Sequence, residues 1–95
     1  MNTILLKKKI DGHEGVAVIT YNRPESLNAL NTQMATEIID AFHQLEQDET
    51  IRALVITGTG TKSFCVGADL KERNRMTPIK WKGQRRLFEE VTEKI

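Results

Sequence analysis

The spacing of apolar and polar positions changes period several times along this chain, and each change marks an element. Ile4 to Ile10 reads as a strand, and Lys7-Lys8-Lys9 makes it an edge or solvent-washed one. Asp11-Gly12 and Glu14-Gly15 supply turn chemistry for a hairpin, so Val16 to Tyr21 is its second strand. Pro24 pushes Arg23 out of helical geometry and ends that strand; Glu25 to Leu30 follows as a loop of polar and small residues. Asn31 is placed to cap a helix over about Thr32 to Gln47. Met34, Ile38, Ala41 and Leu45 fall on one face of it, flanked by Ala35 and Phe42 and widened by Ile39, as in a helix packed on a sheet.

The continuous apolar run Ala53-Leu54-Val55-Ile56, leading into Thr57-Gly58, predicts a strand buried on both faces. Strand, helix, strand from Val16 to Thr57 is a crossover unit, which puts its two strands parallel in one sheet. Ligands on such sheets gather beyond the carboxyl ends of the strands. Arg23–Ala29 and Gly58–Leu70 both leave strands at that end, so they can line one crevice although far apart in sequence. Lys71 to Arg75 is charged helix or loop. Thr77-Pro78 then starts a last helix, with Pro78 suited to its first position. Leu87, Phe88, Val91 and Ile95 form its apolar stripe, which is still running where the sequence stops.

Within this framework Ser63-Phe64-Cys65-Val66-Gly67-Ala68-Asp69-Leu70 carries the most chemical information. Gly67 and Ala68 are small and sit just before a helix start, where Asp69 and Glu72 have capping-box spacing. A helix start leaves backbone N–H groups without partners, and small side chains would let a ligand oxygen reach them. An ordinary strand-to-helix loop has the same appearance. Gly58-Thr59-Gly60-Thr61-Lys62 lacks the spacing and closing Lys-Ser/Thr of a phosphate loop and reads as a Gly-rich turn.

Composition narrows the class. The chain has 95 residues, 39% hydrophobic and 28% charged, with a formal net charge of +1: one domain at most, with no bias toward a polyanionic partner. No apolar run approaches the roughly 20 residues of a membrane span, and the N-terminus has neither a signal core nor a transit-type segment. The single Cys65 forms no internal disulfide, which suits a reducing cytosol, and reads as a small packed residue rather than a nucleophile. His13 and His43 are scattered, so no metal site is expected.

Asn22-Arg23-Pro24-Glu25-Ser26-Leu27-Asn28-Ala29-Leu30-Asn31, Ala53-Leu54-Val55-Ile56-Thr57-Gly58 and Phe64-Cys65-Val66-Gly67-Ala68-Asp69-Leu70-Lys71-Glu72 occur in this order. Together they resemble the N-terminal part of the crotonase superfamily, whose best-known members are enoyl-CoA hydratases; the resemblance runs from about Ile4 to about Met76. It implies an α/β fold, the N-terminal part of a crotonase-like ββα spiral, with residues 1–95 forming a domain incomplete at its C-terminus. In that family two backbone N–H groups hold the thioester oxygen of an acyl-CoA as an enolate-like oxyanion forms. One donor matches Ala68. Asp69, Leu70 and Lys71 match positions lining the acyl and pantetheine channel, and Glu25, Ser26, Ala29, Val66 and Gly67 match CoA-facing positions. Val66 often corresponds to alanine, which implies a narrower groove. Arg23 is either a contributor of charge to phosphate binding or a solvated loop residue.

The second donor and the acid–base glutamates lie downstream in the family, and Glu72, Glu89, Glu90 and Glu93 do not match them. The expectation is therefore the first third of an acyl-CoA enzyme, inactive alone. Hydration of a 2-enoyl-CoA is the first choice; double-bond isomerisation and thioester hydrolysis stay open. No separate cofactor is implied, since CoA enters with the substrate; the implied partners are an acyl-CoA thioester and further copies, as trimers or dimers of trimers, in the cytoplasm. Two rival readings compete. Seven basic residues against one acidic between Lys71 and Arg86 could contact nucleic acid. The family's RNA-binding branch, however, uses a lysine-studded first helix, and here the matching helix has Glu37, Asp40 and Glu46 and no lysine. The other rival is a non-catalytic module docking through Leu87, Phe88, Val91 and Ile95.

Overall fold

The structure, a computed structural model, describes residues 2–95. Strands β1 (Ile4–Lys7) and β2 (Val16–Tyr21) form an antiparallel pair with Ile4 opposite Tyr21 and Lys7 opposite Val18. Helix α1 (Thr32–Glu46) carries the chain back to β3 (Ala53–Gly58), which pairs parallel with β2 from Val16↔Ala53 to Tyr21↔Gly58. The sheet order is β1-β2-β3. A one-turn helix, α2 (Leu70–Arg73), and a long one, α3 (Pro78–Lys94), complete the fold. This is the expected α/β arrangement, with the Lys-bearing strand at one edge.

Local chemistry explains the boundaries. The Asn31 side chain accepts from the Met34 N–H at 2.8 Å and starts α1; the Thr77 hydroxyl accepts from Lys80 N–H at 3.3 Å ahead of Pro78 and starts α3. β1 ends at Lys7, short of Ile10, and the Ile10 carbonyl accepts from the His13 N–H in the turn that follows.

The core lies on one face of the sheet. Ile4, Ala17, Ile19 and Tyr21 meet Met34, Ala35, Ile38, Ile39, Ala41, Phe42 and Leu45 of α1, which fulfils the predicted stripe. Burial of such side chains contributes roughly 1.5–3 kcal/mol each for the larger ones.

Two expectations are overturned. Among the described residues β3 is not covered on both faces: Ala53, Val55 and Thr57 are exposed and Leu54 and Ile56 half-buried, because the helices described pack on one side and β3 lies at the edge of the three-stranded sheet. The stripe of α3 is not an open docking face either. Val91 is buried and Leu87 and Phe88 pack on the core through α1; of the four only Ile95, 68% exposed, projects from it.

Candidate functional site

The loop after β2 is built around Asn28, which is fully buried with φ of 57°. Asparagine tolerates this left-handed geometry better than most residues. Its Oδ1 accepts from the Arg23 N–H at 2.8 Å, and its Nδ2 donates to the carbonyls of Thr59 at 2.9 Å and Ser63 at 3.1 Å. One side chain thus ties this loop to the one after β3. The close approach requires Gly58, where an added Cβ would lie 2.6 Å from the Phe64 carbonyl oxygen and 2.9 Å from Asn28 Nδ2.

Arg23 is not a solvated loop residue. Its side chain is 14% exposed, and its guanidinium donates to the Ala29 carbonyl, to Ser26 Oγ at 3.5 Å and to Asp69 Oδ2 at 3.0 Å. The pair joins the two loops at a second point. Burial pushes the Asp69 carboxyl up, but the bonds from Arg23 and from the Glu72 and Lys71 N–H groups, with the Arg23 charge, outweigh it and hold the group below its ordinary value.

The third connection is a single parallel β-bridge between Leu30 and Ala68. Leu30 N–H donates to the Gly67 carbonyl at 2.7 Å, and Asp69 N–H donates to the Leu30 carbonyl at 2.8 Å. In such a bridge the residue opposite Leu30 must turn its own N–H and C=O away. Ala68 N–H accordingly has no partner among the described residues. Gly67, at φ of 101° with nothing near its missing Cβ, makes the turn that aims it.

The Ala68 amide is therefore not a helix-start amide in the sense the spacing suggests. Asp69 Oδ1 itself accepts from Lys71 N–H at 3.0 Å and Glu72 N–H at 3.3 Å, which closes the start of α2. Nor does Glu72 complete a capping box: its Oε1 reaches instead to Thr32 and Gln84.

Three apolar side chains of the same segment are exposed. Phe64, Val66 and Leu70 are 52%, 54% and 67% exposed, with Phe64 stacked on Tyr21 at 4.9 Å between ring centroids. Lys71 and Glu25 are exposed, Ser26 half-buried and Ala29 buried. Glu25 lines a groove of about 390 Å³ with Pro24, Leu27, Thr59, Gly60 and Lys62. A larger hollow of about 740 Å³ lies by the hairpin turn and Asp48–Arg52, at the opposite end of the sheet from Ala68, and holds none of the sequence-selected residues. Cys65 packs on the core, as a small residue would. The basic stripe is partly engaged: Arg73 bonds Gln84, and Arg85 bonds Glu89 at 3.3 Å. No cluster that could hold a metal occurs among the described residues, and no helix there is long and apolar enough to cross a membrane.

A parallel crossover whose two loops meet beyond the carboxyl ends of the strands, with the Ala68 amide unpartnered among the described residues, defines an α/β chain of a recognisable kind. The chain belongs to the enoyl-CoA hydratase/isomerase family, which residues 11–95 match. It is 41% identical over 80 residues to a short-chain-enoyl-CoA hydratase of Clostridium acetobutylicum, covering 83% of this chain and 29% of that protein. It is 46% identical over 61 residues to the 1,2-epoxyphenylacetyl-CoA isomerase of Escherichia coli, covering 64% and 23%. The crystal structure of an enoyl-CoA hydratase from Bacillus anthracis superimposes with a TM-score of 0.89 at 27% identity, covering 98% of this chain and 35% of that one. The chain thus spans between about a quarter and a third of these relatives' length, and the likeness confirms the crotonase-type fold of the N-terminal region.

Proposed function

We propose that this chain is the N-terminal section of an acyl-CoA-processing enzyme, with 2-enoyl-CoA hydration as its reaction. Ala68 N–H is one of the donors that hold the thioester oxygen as negative charge develops on it. The observation that carries this reading is the amide left free by the Leu30–Ala68 bridge. An amide donor of this kind can contribute on the order of a hundred- to a thousandfold in rate. Asp69, Leu70 and Lys71 border the acyl and pantetheine path, and Glu25, Ser26, Ala29, Val66 and Gly67 the CoA side. Arg23 and Asp69 act there chiefly by fixing the loops, since both are committed to each other.

Isomerisation is the second reading, favoured by the likeness to a protein named as an acyl-CoA isomerase. Both share the donor and differ in acid–base groups, which lie outside the matched motifs. The reading includes a cytoplasmic setting, assembly of the whole enzyme as trimers or dimers of trimers, and no cofactor beyond the CoA of the substrate.

The test is a titration of the 15N-labelled chain with a short 2-enoyl-CoA and, separately, with free CoA. The Ala68 amide proton is expected to move downfield with the thioester and to stay near its free position with CoA. An Ala68 signal indifferent to the thioester removes the donor assignment.

A further inference from the structure

A donor of this kind must be held within a few tenths of an ångström of its working place, and α2, which follows it, is a single turn with little stability of its own. Something else must fix it. Glu72 Oε1 accepts from Thr32 N–H at 2.9 Å, from Thr32 Oγ1 at 3.1 Å and from Gln84 Nε2. Gln84 is only 4% exposed; its Nε2 also donates to Thr32 Oγ1 at 3.0 Å, and its Oε1 accepts from Arg73 Nε at 2.9 Å. The Arg73 guanidinium lies over the Trp81 and Phe88 rings, 5.7 and 5.3 Å from their centroids. Each polar group of Gln84 is thereby satisfied, as burial demands.

This network joins the first residue of α1, the last two residues of α2 and the middle of α3. Its position matters. Thr32 follows Leu30 by two residues and Glu72 follows Ala68 by four, so the Thr32–Glu72 contact closes the same two segments that the Leu30–Ala68 bridge joins. Arg23–Asp69 holds them from the other side. We propose that Glu72 and Gln84 are positioning residues that hold the Ala68 amide in register by locking α2 to α1 and α3. Glu72 does not touch substrate in this role, and its carboxylate transfers no proton. The proposal rests on the reading of Ala68 as the thioester donor.

Glu72→Ala, Glu72→Gln and Gln84→Ala separate the possibilities. Only Oε1 of Glu72 takes part, so the glutamine variant can keep an oxygen acceptor for all its donors. The first readout is amide hydrogen exchange in the full 95-residue chain. Glu72→Ala and Gln84→Ala are expected to speed exchange of the Leu30 and Asp69 amides by about tenfold or more, with the amides of β2 unchanged and Glu72→Gln near the parent. Unchanged protection at Leu30 and Asp69, or a loss shared equally by β2, overturns the proposal.

The second readout is the ratio of affinities for an acyl-CoA thioester and the matching thioether, which lacks the carbonyl. A parent ratio of about three- to tenfold, falling toward one in Glu72→Ala and restored in Glu72→Gln, is expected. A parent ratio of one sinks the donor reading itself. A parent ratio above one that survives in both alanine variants overturns the clamp alone.

Discussion

The two loops beyond the sheet are made differently. The segment from Arg23 to Leu30 folds onto itself: Asn28 and Ala29 are buried, Arg23 is nearly so, and its turns are closed by bonds to the Arg23, Pro24 and Ser26 carbonyls. The segment from Gly60 to Gly67 is mostly exposed and takes its shape from contacts that reach across to the first: Ser63 to Asn28, Gly67 to Leu30. The first is a template and the second is cast on it. Binding residues gather on loops held by a rigid frame, and here one loop supplies part of that frame for the other. The free amide of Ala68 belongs to the loop that is held rather than to the one that holds.

Breaking the template carries the largest expected cost. Asn28→Ala removes three hydrogen bonds, leaves the Thr59 and Ser63 carbonyls without this donor and puts alanine at positive φ. A loss of about 3 kcal/mol is expected in the unfolding free energy measured by denaturant titration, with both loops losing exchange protection. A loss below about 1 kcal/mol would mean that the loops are held by the sheet alone.

Acid tests the second tie. The folded pKa of Asp69 lies below its unfolded value, so between the two the unfolded chain binds more protons and stability rises with pH. The contribution is full above about pH 4 and is lost as pH falls through the folded pKa. Glu37 and Asp48 are also held low, so Asp69→Asn should flatten the acid slope of unfolding free energy without abolishing it. An unaltered slope would mean that the Arg23 pair contributes nothing net.

The smallest change in stability belongs to the cast loop. Gly67→Ala meets no neighbour but must adopt φ near 101°. A cost of about 1–2 kcal/mol is expected, confined to residues 66–69, together with displacement of the Ala68 amide signal. Equal losses across β2 would mean that the two loops are one unit.

The elements were legible where a cap or a period announces them. Asn31 and Thr77 start helices as their side chains dictate, and the strand-helix-strand order placed both motif loops at one end. The one-sided cover of β3 among the described residues is not legible, because an apolar run such as Ala53–Ile56 gives hydrophobicity but not the number of layers around it. Arg23 with Asp69 and Thr32 with Glu72 were illegible for another reason. The partners stand 46 and 40 positions apart, and it is the folding of the two loops against each other that brings them together. Glu72 carried a misleading local signal, since capping-box spacing names a nearby partner where the fold provides a distant one.

The parallel pairing of β2 with β3 also sets an order of events. Val16 meets Ala53 across 37 positions, so a long loop must close before that ladder gains a single bond. The hairpin and α1 depend on nearby residues and can form sooner. Once formed, α1 shortens the span that β3 must cross. The bridge at Leu30 needs β3 docked and both loops shaped, so the amide of Ala68 is among the last groups in this chain to find its place.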